Sequence, residues 1–334
     1  MEPLRVGFIG AGIFATWAIY PSLYLAPIEL KAVCDIDEEK AKSVANKFGT
    51  GRWYTDYRQM FEKEDLEAVI IWMRPKPRQS LVCDALGAGY HVMIPKPPAP
   101  SLADCLELAE ASRRAQKVLM VDYQRRFSYG VRQAKEIMAR PSFGKLTQLS
   151  ASFCSGKYDE VRGVGYDGPV HAFLLDFSTH HLDLVRHIAG EIDQIAMYDN
   201  TLKDGGSFAL AVKFVNGAVG TLQLNSQRVW WRNYDRIEIT GEGEYIVVDS
   251  LWSVRHYTKD ENTFTENYSD ERSPELTGDG YALIEFVEAI RENREPVANI
   301  HDSLETMRIY QAMYDAYLAG KEGEIDLSSY RSRS

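Results

Sequence analysis

The stretch LRVGFIGAGIFA, residues 4–15, decides how the rest of the chain is read. An apolar run from Val6 to Ile9 breaks at Gly10 and resumes at Ile13, the pattern of a buried parallel strand turning into a helix. Between them, Gly10-Ala11-Gly12-Ile13-Phe14-Ala15 forms a G-x-G-x-x-A turn. In such a turn the first glycine takes the tight bend, the second lets backbone approach a pyrophosphate, and the small last residue keeps helix and strand close. The new helix start offers N–H groups and a positive dipole end to phosphate oxygens. Gly10, Gly12, Ile13 and Phe14 are therefore candidate dinucleotide contacts.

The context of the turn carries more weight than the glycines. A second strand-like run, Leu30 to Cys34, ends in Asp35, about 20 residues beyond the last glycine, where an acid is needed for a ribose 2′-OH. The competing reading is a close-packed βαβ unit without ligand; strand, turn, helix and acid in order favour the nucleotide. Asp35 repels a 2′-phosphate and no arginine follows it directly, so NAD is favoured over NADP.

Composition narrows the partners. The 334 residues suggest about two domains, and 45% apolar residues supply a sizeable core. A net charge of −10, from 48 acids against 38 bases, argues against nucleic acid or an anionic membrane surface. No apolar run reaches the ~18 residues of a membrane helix. The first strand starts almost at the N-terminus, leaving no room for a secretory signal. Cys34, Cys83, Cys105 and Cys154 lack C-x-x-C spacing, so neither a disulfide framework nor a zinc site is indicated and a reducing cytoplasm is expected.

Up to about residue 125, strands and helices alternate. Glu38 to Phe48 has helical spacing and stops at Gly49; a short strand at Arg52 to Tyr54 and a helix from Asp56 follow. Strands are expected at Glu67 to Trp72, His91 to Ile94 and Val118 to Val121, with helices at Arg78 to Ala88 and after the N-cap Ser101. This alternation indicates an α/β domain with a doubly wound parallel sheet over residues 1–125. Residues 126–334 have another texture. Strand-like runs cover Leu146 to Phe153, Ile192 to Tyr198, Phe208 to Phe214, Val219 to Asn225, Arg236 to Thr240 and Tyr245 to Val248, with a hairpin signal at Asn216-Gly217. Helices are expected at Ala172 to Ile188, Tyr281 to Glu292 and Asp302 to Leu318, and a polar surface loop at Asp260 to Asp279. The second domain is thus α+β with a large, mostly antiparallel open sheet, joined to the first near Tyr123 to Phe127.

Pro95-Lys96-Pro97-Pro98 leaves the carboxyl end of a parallel strand, where open α/β sheets place ligands. The prolines stiffen the support of Lys96, whose ammonium can bind a hydroxyl or carbonyl oxygen; a surface lysine in a proline-rich connection is the alternative. Together, Gly10-Ala11-Gly12, Asp35, His91-Val92 leading to Lys96-Pro97, Tyr123-Gln124-Arg125-Arg126-Phe127, and Asp176-x-x-x-His180 followed by Asp183 resemble the glucose–fructose oxidoreductase, inositol dehydrogenase and rhizopine-catabolism (Gfo/Idh/MocA) family over nearly the whole chain. The resemblance implies a Rossmann domain, a sheet domain whose open face makes a homo-oligomer (dimer or tetramer), and NAD(P)-linked oxidation or reduction of sugars, cyclitols or related polyols. It also implies that Lys96 binds the hydroxyl or oxyanion, that His180 is the general base, and that Asp176 orients it or binds substrate. A histidine near neutrality suits that proton transfer, and residues four apart share a helix face.

Further residues follow from the resemblance. The loop after the fourth strand should approach the nicotinamide, making Trp72 and Arg74 candidate cofactor contacts beside Lys96. Tyr123, Arg126 and His171 are candidate substrate contacts, with an ion pair across the domain joint as the alternative for Arg126. Asp183 and His187 repeat the four-residue spacing, but one pair is already used and no cysteine or glutamate joins them, so no metal is expected; His181 and His187 read as core histidines. Arg228-Val229-Trp230-Trp231 reads as a subunit contact.

The chain also departs from the family pattern. Pro95 stands where the family usually has glutamate, and Met73-Arg74-Pro75 with Arg78 replace a Thr-Pro-Asn stretch and its histidine. Arg74, Lys76 and Arg78 read as solvated helix-start charges, with selection of an anionic substrate as the other reading. These departures keep two rivals open: a nucleotide-binding regulator without turnover, and an enzyme that retains NAD and processes glycosides without net redox change.

Overall fold

A computed structural model describes residues 2–156, 166–202, 205–228, 234–258, 262–266, 273 and 277–330. It divides into two compact units, Met1–Gln124 with Gly278–Leu304, and Arg125–Thr277 with Glu305–Ser334.

The first unit holds a six-stranded parallel sheet in the order β3-β2-β1-β4-β5-β6. Its strands are β1 (Leu4–Ile9), β2 (Ile28–Cys34), β3 (Trp53–Tyr54), β4 (Ala68–Ile71), β5 (His91–Pro95) and β6 (Leu119–Asp122). Order reverses between β1 and β4, so the carboxyl ends of those strands flank the crevice where such sheets bind nucleotides. Val6, Phe8 and all four residues of β4 are fully buried, as strands covered on both faces require. The helices start where local chemistry says they should. Asp37 caps Glu38–Lys47 by accepting from the Lys40 N–H at 3.2 Å, and Asp56 caps Tyr57–Lys63. Ser101 caps Leu102–Ala115, accepting from the Asp104 N–H at 3.2 Å.

The helix Asp279–Arg291 belongs to this unit, although the sequence reading assigns everything after residue 125 to the second domain. Packing explains the difference. Leu283, Phe286 and Val287 are fully buried, and Arg291 donates to Glu67 at 2.6 Å and to the Pro3 carbonyl at 3.1 Å. Gly280 lies so close to Leu25 that a Cβ added there would meet the leucine side chain. The Val121 N–H donates to the Ala298 carbonyl at 2.8 Å, extending the sheet edge with the same segment.

The second unit holds a nine-stranded sheet in the order β14-β13-β12-β11-β7-β10-β9-β8-β15, parallel only between β7 and β10. The strands are β7 (Leu146–Gly156), β8 (Ile192–Leu202), β9 (Gly205–Phe214), β10 (Val219–Arg228), β11 (Tyr234–Gly241), β12 (Tyr245–Asp249), β13 (Ser253–Tyr257), β14 (Asn262–Glu266) and β15 (Gly323–Ile325). Alternation is strict along β9, where Phe208, Leu210, Val212 and Phe214 are buried and Ala209, Ala211 and Lys213 are exposed. One face therefore forms the core and the other stays open. The helical segments Pro169–Ala172, Phe173–Ser178 and Thr179–Ala189 follow one another against β7 and β9. Gly190, with φ +94°, ends the run.

The short strands β13, β14 and β15 carry too little pattern for sequence reading. β14 forms within the stretch expected as a loop, of which 260–261, 267–272 and 274–276 lie outside the described residues. Of Arg228-Val229-Trp230-Trp231, β10 ends at Arg228 and 229–231 lie outside the described residues.

Candidate active site

The glycine turn is built as a cradle. Gly10 has φ +108°, and a Cβ there would collide with the Trp72 carbonyl oxygen. Tyr20 supports the turn from inside, its ring stacked on Phe8 at 4.0 Å and its hydroxyl donating to the Gly10 carbonyl at 3.2 Å. Gly12 differs. A Cβ added there meets nothing within 4 Å, so the absent side chain leaves open space in front of the backbone.

Asp35 ties the acid to the turn. Its Oδ2 accepts from the Ala11 N–H at 2.7 Å and its Oδ1 from the Asp37 N–H at 3.0 Å. Each oxygen keeps a second lone pair for a hydroxyl. Around this polar spot lie exposed apolar side chains: Ile13 at 89%, Ile36 at 93% and Phe14 at 49%. Trp72 is half-buried, and its ring lies parallel to Phe14 with centroids 6.4 Å apart. Open backbone at Gly12, a carboxylate at the end of β2 and apolar flanks fit pyrophosphate, ribose and a planar base, so the residues present fit NAD.

Lys96 follows β5 at the same edge of the sheet and is half-buried. Its loop is held from an unexpected quarter. Arg78, expected as a surface charge, is 1% exposed. Its guanidinium donates to the Met73 carbonyl at 2.8 Å, to the Pro98 carbonyl at 2.9 Å and to the Pro97 carbonyl. One cation thus pins the loop after β4 to the loop after β5. The five donors of a guanidinium allow this, whereas a lysine could not span the same carbonyls in one plane. Arg74 and Lys76 are exposed, and Arg74 precedes the helix Pro75–Gly87. Tyr123 is fully buried, and Asp122 just before it is 3% exposed.

In the second unit, Asp176 and His180 lie on the helical run against the core sheet. Phe173–Ser178 is π-helical, a geometry that recurs at functional sites because it re-aims side chains within a helix. Residues from Ala172 to Arg186 are buried with the exception of Asp176, which is half-exposed; His180 is 5% exposed. An otherwise buried helix that brings one carboxylate to its surface, with an imidazole one turn on, has the make-up of a proton-handling site.

The neighbouring polar residues support that helix. His181 is fully buried, its Nδ1–H donating to the Phe177 carbonyl at 2.8 Å. Its Nε2 accepts from Arg125 at 2.7 Å, and Arg125 also donates to Asp235. Burial first, and the Arg125 charge second, push the His181 imidazole down to about 4. Burial raises the Asp235 carboxyl, but the Arg125 charge and the contacts with His181 and Arg125 together bring it down to about 2. His181 is therefore a neutral core histidine, as read from the sequence.

Arg126 is committed to a structural pair. Its guanidinium forks onto Asp183, with Nε donating to Oδ2 at 2.7 Å and Nη2 to Oδ1, both residues being buried. The expected pair across the domain joint gives way to an ion pair inside the second unit. His171 is half-buried in an aromatic cluster, stacked on Tyr314 at 4.7 Å and edge-on to Tyr166 at 5.8 Å. It accepts from the Asp167 N–H at 2.8 Å through Nδ1, and burial lowers its pKa. The sequence reading overlooked the roles of Arg78, Arg125, Asp235 and Asp122; the one available signal was an acid, Asp122, closing an apolar strand.

Comparison with known proteins bears on the family and the fold. Residues 4–123 match the family model described as the Gfo/Idh/MocA oxidoreductase family with NAD-binding Rossmann fold, and residues 131–247 match the C-terminal domain of the same family. The chain is 25% identical over 320 residues to myo-inositol 2-dehydrogenase of Thermotoga maritima, covering 90% of this chain and 92% of the relative. It is 31% identical over 200 residues to D-glucoside 3-dehydrogenase of Escherichia coli, covering 57% and 55%. A solved dehydrogenase from Chromobacterium violaceum superposes with a TM-score of 0.89 at 22% identity, covering 96% of this chain and 97% of that one, and shows the shared fold. With the dinucleotide cradle, the two sheets and both family domains in sequence, the chain belongs to the Gfo/Idh/MocA family of NAD-binding oxidoreductases.

Proposed function

We propose that this protein is an NAD-dependent dehydrogenase acting on a secondary hydroxyl of a sugar, cyclitol or related polyol. Bound NAD supplies the acceptor or donor of hydride. Lys96 hydrogen-bonds the reacting oxygen and stabilises the negative charge that develops on it. His180 takes the hydroxyl proton in oxidation and returns it in reduction, and Asp176 orients the imidazole or binds a neighbouring hydroxyl. Gly10, Gly12, Ile13, Phe14 and Asp35 hold the pyrophosphate and adenosine half, and Trp72 with Arg74 border the nicotinamide half. The observation that carries the reading is the half-exposed Asp176 one turn before His180 on an otherwise buried, π-distorted helix, in a chain whose other unit holds Lys96 on a pinned loop. Relatives named for inositol and for a glucoside as substrates point to polyhydroxylated rings.

Two further assignments accompany this one. The open face of the nine-stranded sheet, with Ala209, Ala211, Thr221 and Gln223 exposed, is the surface for a homo-oligomer. Cytoplasmic residence is supported by the four cysteines, none of them in a disulfide, and no helix among the described residues is long and apolar enough to cross a membrane.

The test is reduced-nicotinamide absorbance with NAD and a panel of sugars, cyclitols and sugar acids. A dehydrogenase gives NADH with at least one member of the panel. NAD binding with no conversion anywhere identifies a regulator, and conversion without net NADH identifies a redox-neutral enzyme. In the active case, His180→Ala is expected to lower kcat by roughly 10²- to 10⁴-fold while NAD affinity stays within about twofold. Equal losses in both remove His180 as the base.

A further inference from the structure

Lys96 carries a positive charge into a half-buried loop, and the residue before it is the uncharged Pro95. Its counter-charge comes from elsewhere in the same unit. β5 and β6 run parallel with Pro95 opposite Asp122, so the last residue of β6 lies beside the start of the Lys96 loop. Asp122 ends a strand whose other residues, Leu119, Met120 and Val121, are buried apolar side chains, and it is 3% exposed itself. Asp279, 7% exposed, is the first residue of the helix Asp279–Arg291.

The helix Asp279–Arg291 packs against β6, and the charges that act on Asp122 are those of Asp279, at the start of that helix, and Lys96, on the loop after β5. Two buried carboxyl groups that act on one another do not both ionise, because the second charge would add to the first in a medium of low dielectric. The helix start favours negative charge on Asp279 and leaves the proton with Asp122. A pair carrying one proton and one negative charge balances one ammonium, which is the condition for keeping that ammonium away from bulk water.

We propose that Asp122 and Asp279 form a proton-sharing carboxyl pair that fixes the position of the Lys96 ammonium, and that both are positioning residues acting through Lys96. The proposal rests on the reading of Lys96 as the group that binds the reacting oxygen. Burial and the Asp279 charge hold the Asp122 carboxyl well above the usual carboxylate range, and the Lys96 charge opposes them.

Infrared difference spectroscopy on the full-length protein tests the pair without any substrate. Wild type minus Asp122→Asn at pH 7 is expected to show the carbonyl stretch of a neutral carboxyl group, shifted in D₂O. In a Lys96→Ala background that band is expected to titrate about one pH unit or more higher, because the cation favouring the ionised form is gone. Should Asp122→Asn not fold, Asp279→Asn serves in its place, since either substitution removes the shared proton. With a substrate from the panel, the Asp122→Asn/Asp279→Asn protein is expected to lose about tenfold or more in kcat, with KM for NAD within about twofold. A purely structural pair would lower stability but leave that split and the Lys96-linked shift absent. No neutral-carboxyl band at pH 7, or a band that Lys96→Ala does not move, overturns the proposal. If the band moves but Lys96→Ala turns over normally, the pair stands and the role given to Lys96 in the reaction falls.

Discussion

Gly10 and Gly12 are two residues apart in the same turn and do different jobs. Gly10 answers to the protein: its φ of +108° and the Trp72 carbonyl against it leave no room for a side chain. At Gly12 nothing within 4 Å would meet an added Cβ, and its proposed role is toward the ligand. Gly12→Val is therefore expected to fold with a stability change under about 1 kcal/mol and to lose NAD affinity at least about tenfold. Gly10→Ala is expected to lose stability as well. Denaturant titration and NAD-binding fluorescence on the two variants check the contrast. Arg78 is the other residue whose environment specifies its role. Arg78→Met removes the donor from three carbonyls in two loops and is expected to cost about 2 to 4 kcal/mol, given roughly 1 to 3 for each buried group left unsatisfied and partial relaxation. Urea unfolding measures this directly.

At the scale of elements, the helical run from Pro169 to Ala189 combines the face proposed to handle the proton with a buried polar backing. Its backing gives a pH signature. The His181 imidazole is lowered to about 4 in the fold from roughly 6.5 when unfolded, so the unfolded chain binds the extra proton between those values. Stability from this group is complete above pH ~6.5 and is lost as pH falls towards ~4. Asp235, lowered to about 2, adds a second loss between roughly pH 4 and 2. Thermal midpoints are expected to fall across the upper window by the equivalent of at most about 3 kcal/mol for His181. His181→Gln is expected to flatten that slope while lowering stability at pH 7; an unchanged slope would show that His181 is not neutral in the fold. Some of this element was legible in the sequence. The spacing of Asp176 and His180 is local, so it shows in one helical turn of text. The π-helical segment Phe173–Ser178 is not legible in that way: Phe173 and Phe177 are buried in the core, and no residue pattern announces the change of helix type.

For the whole molecule, legibility follows sequence separation. The glycine turn, Asp35, the parallel sheet implied by alternating elements and the hairpin at Asn216-Gly217 depend on neighbours in the chain, and all are present. Arg78 holding Pro97 and Pro98, the packing of the helix Asp279–Arg291 on β6, and the return of residues 278–304 to the first unit depend on contacts between distant segments, which composition and periodicity do not encode. The function proposed here draws one residue from each unit, Lys96 and His180, and requires that they serve one chemical event. A double-mutant cycle on single-turnover NADH formation, with Lys96→Ala, His180→Ala and both together, measures that requirement. If the two act on the same hydroxyl, the double variant is expected to be no slower than the worse single variant by more than about threefold. Losses that multiply would show two residues working independently and would contradict the assignment of a shared reacting centre.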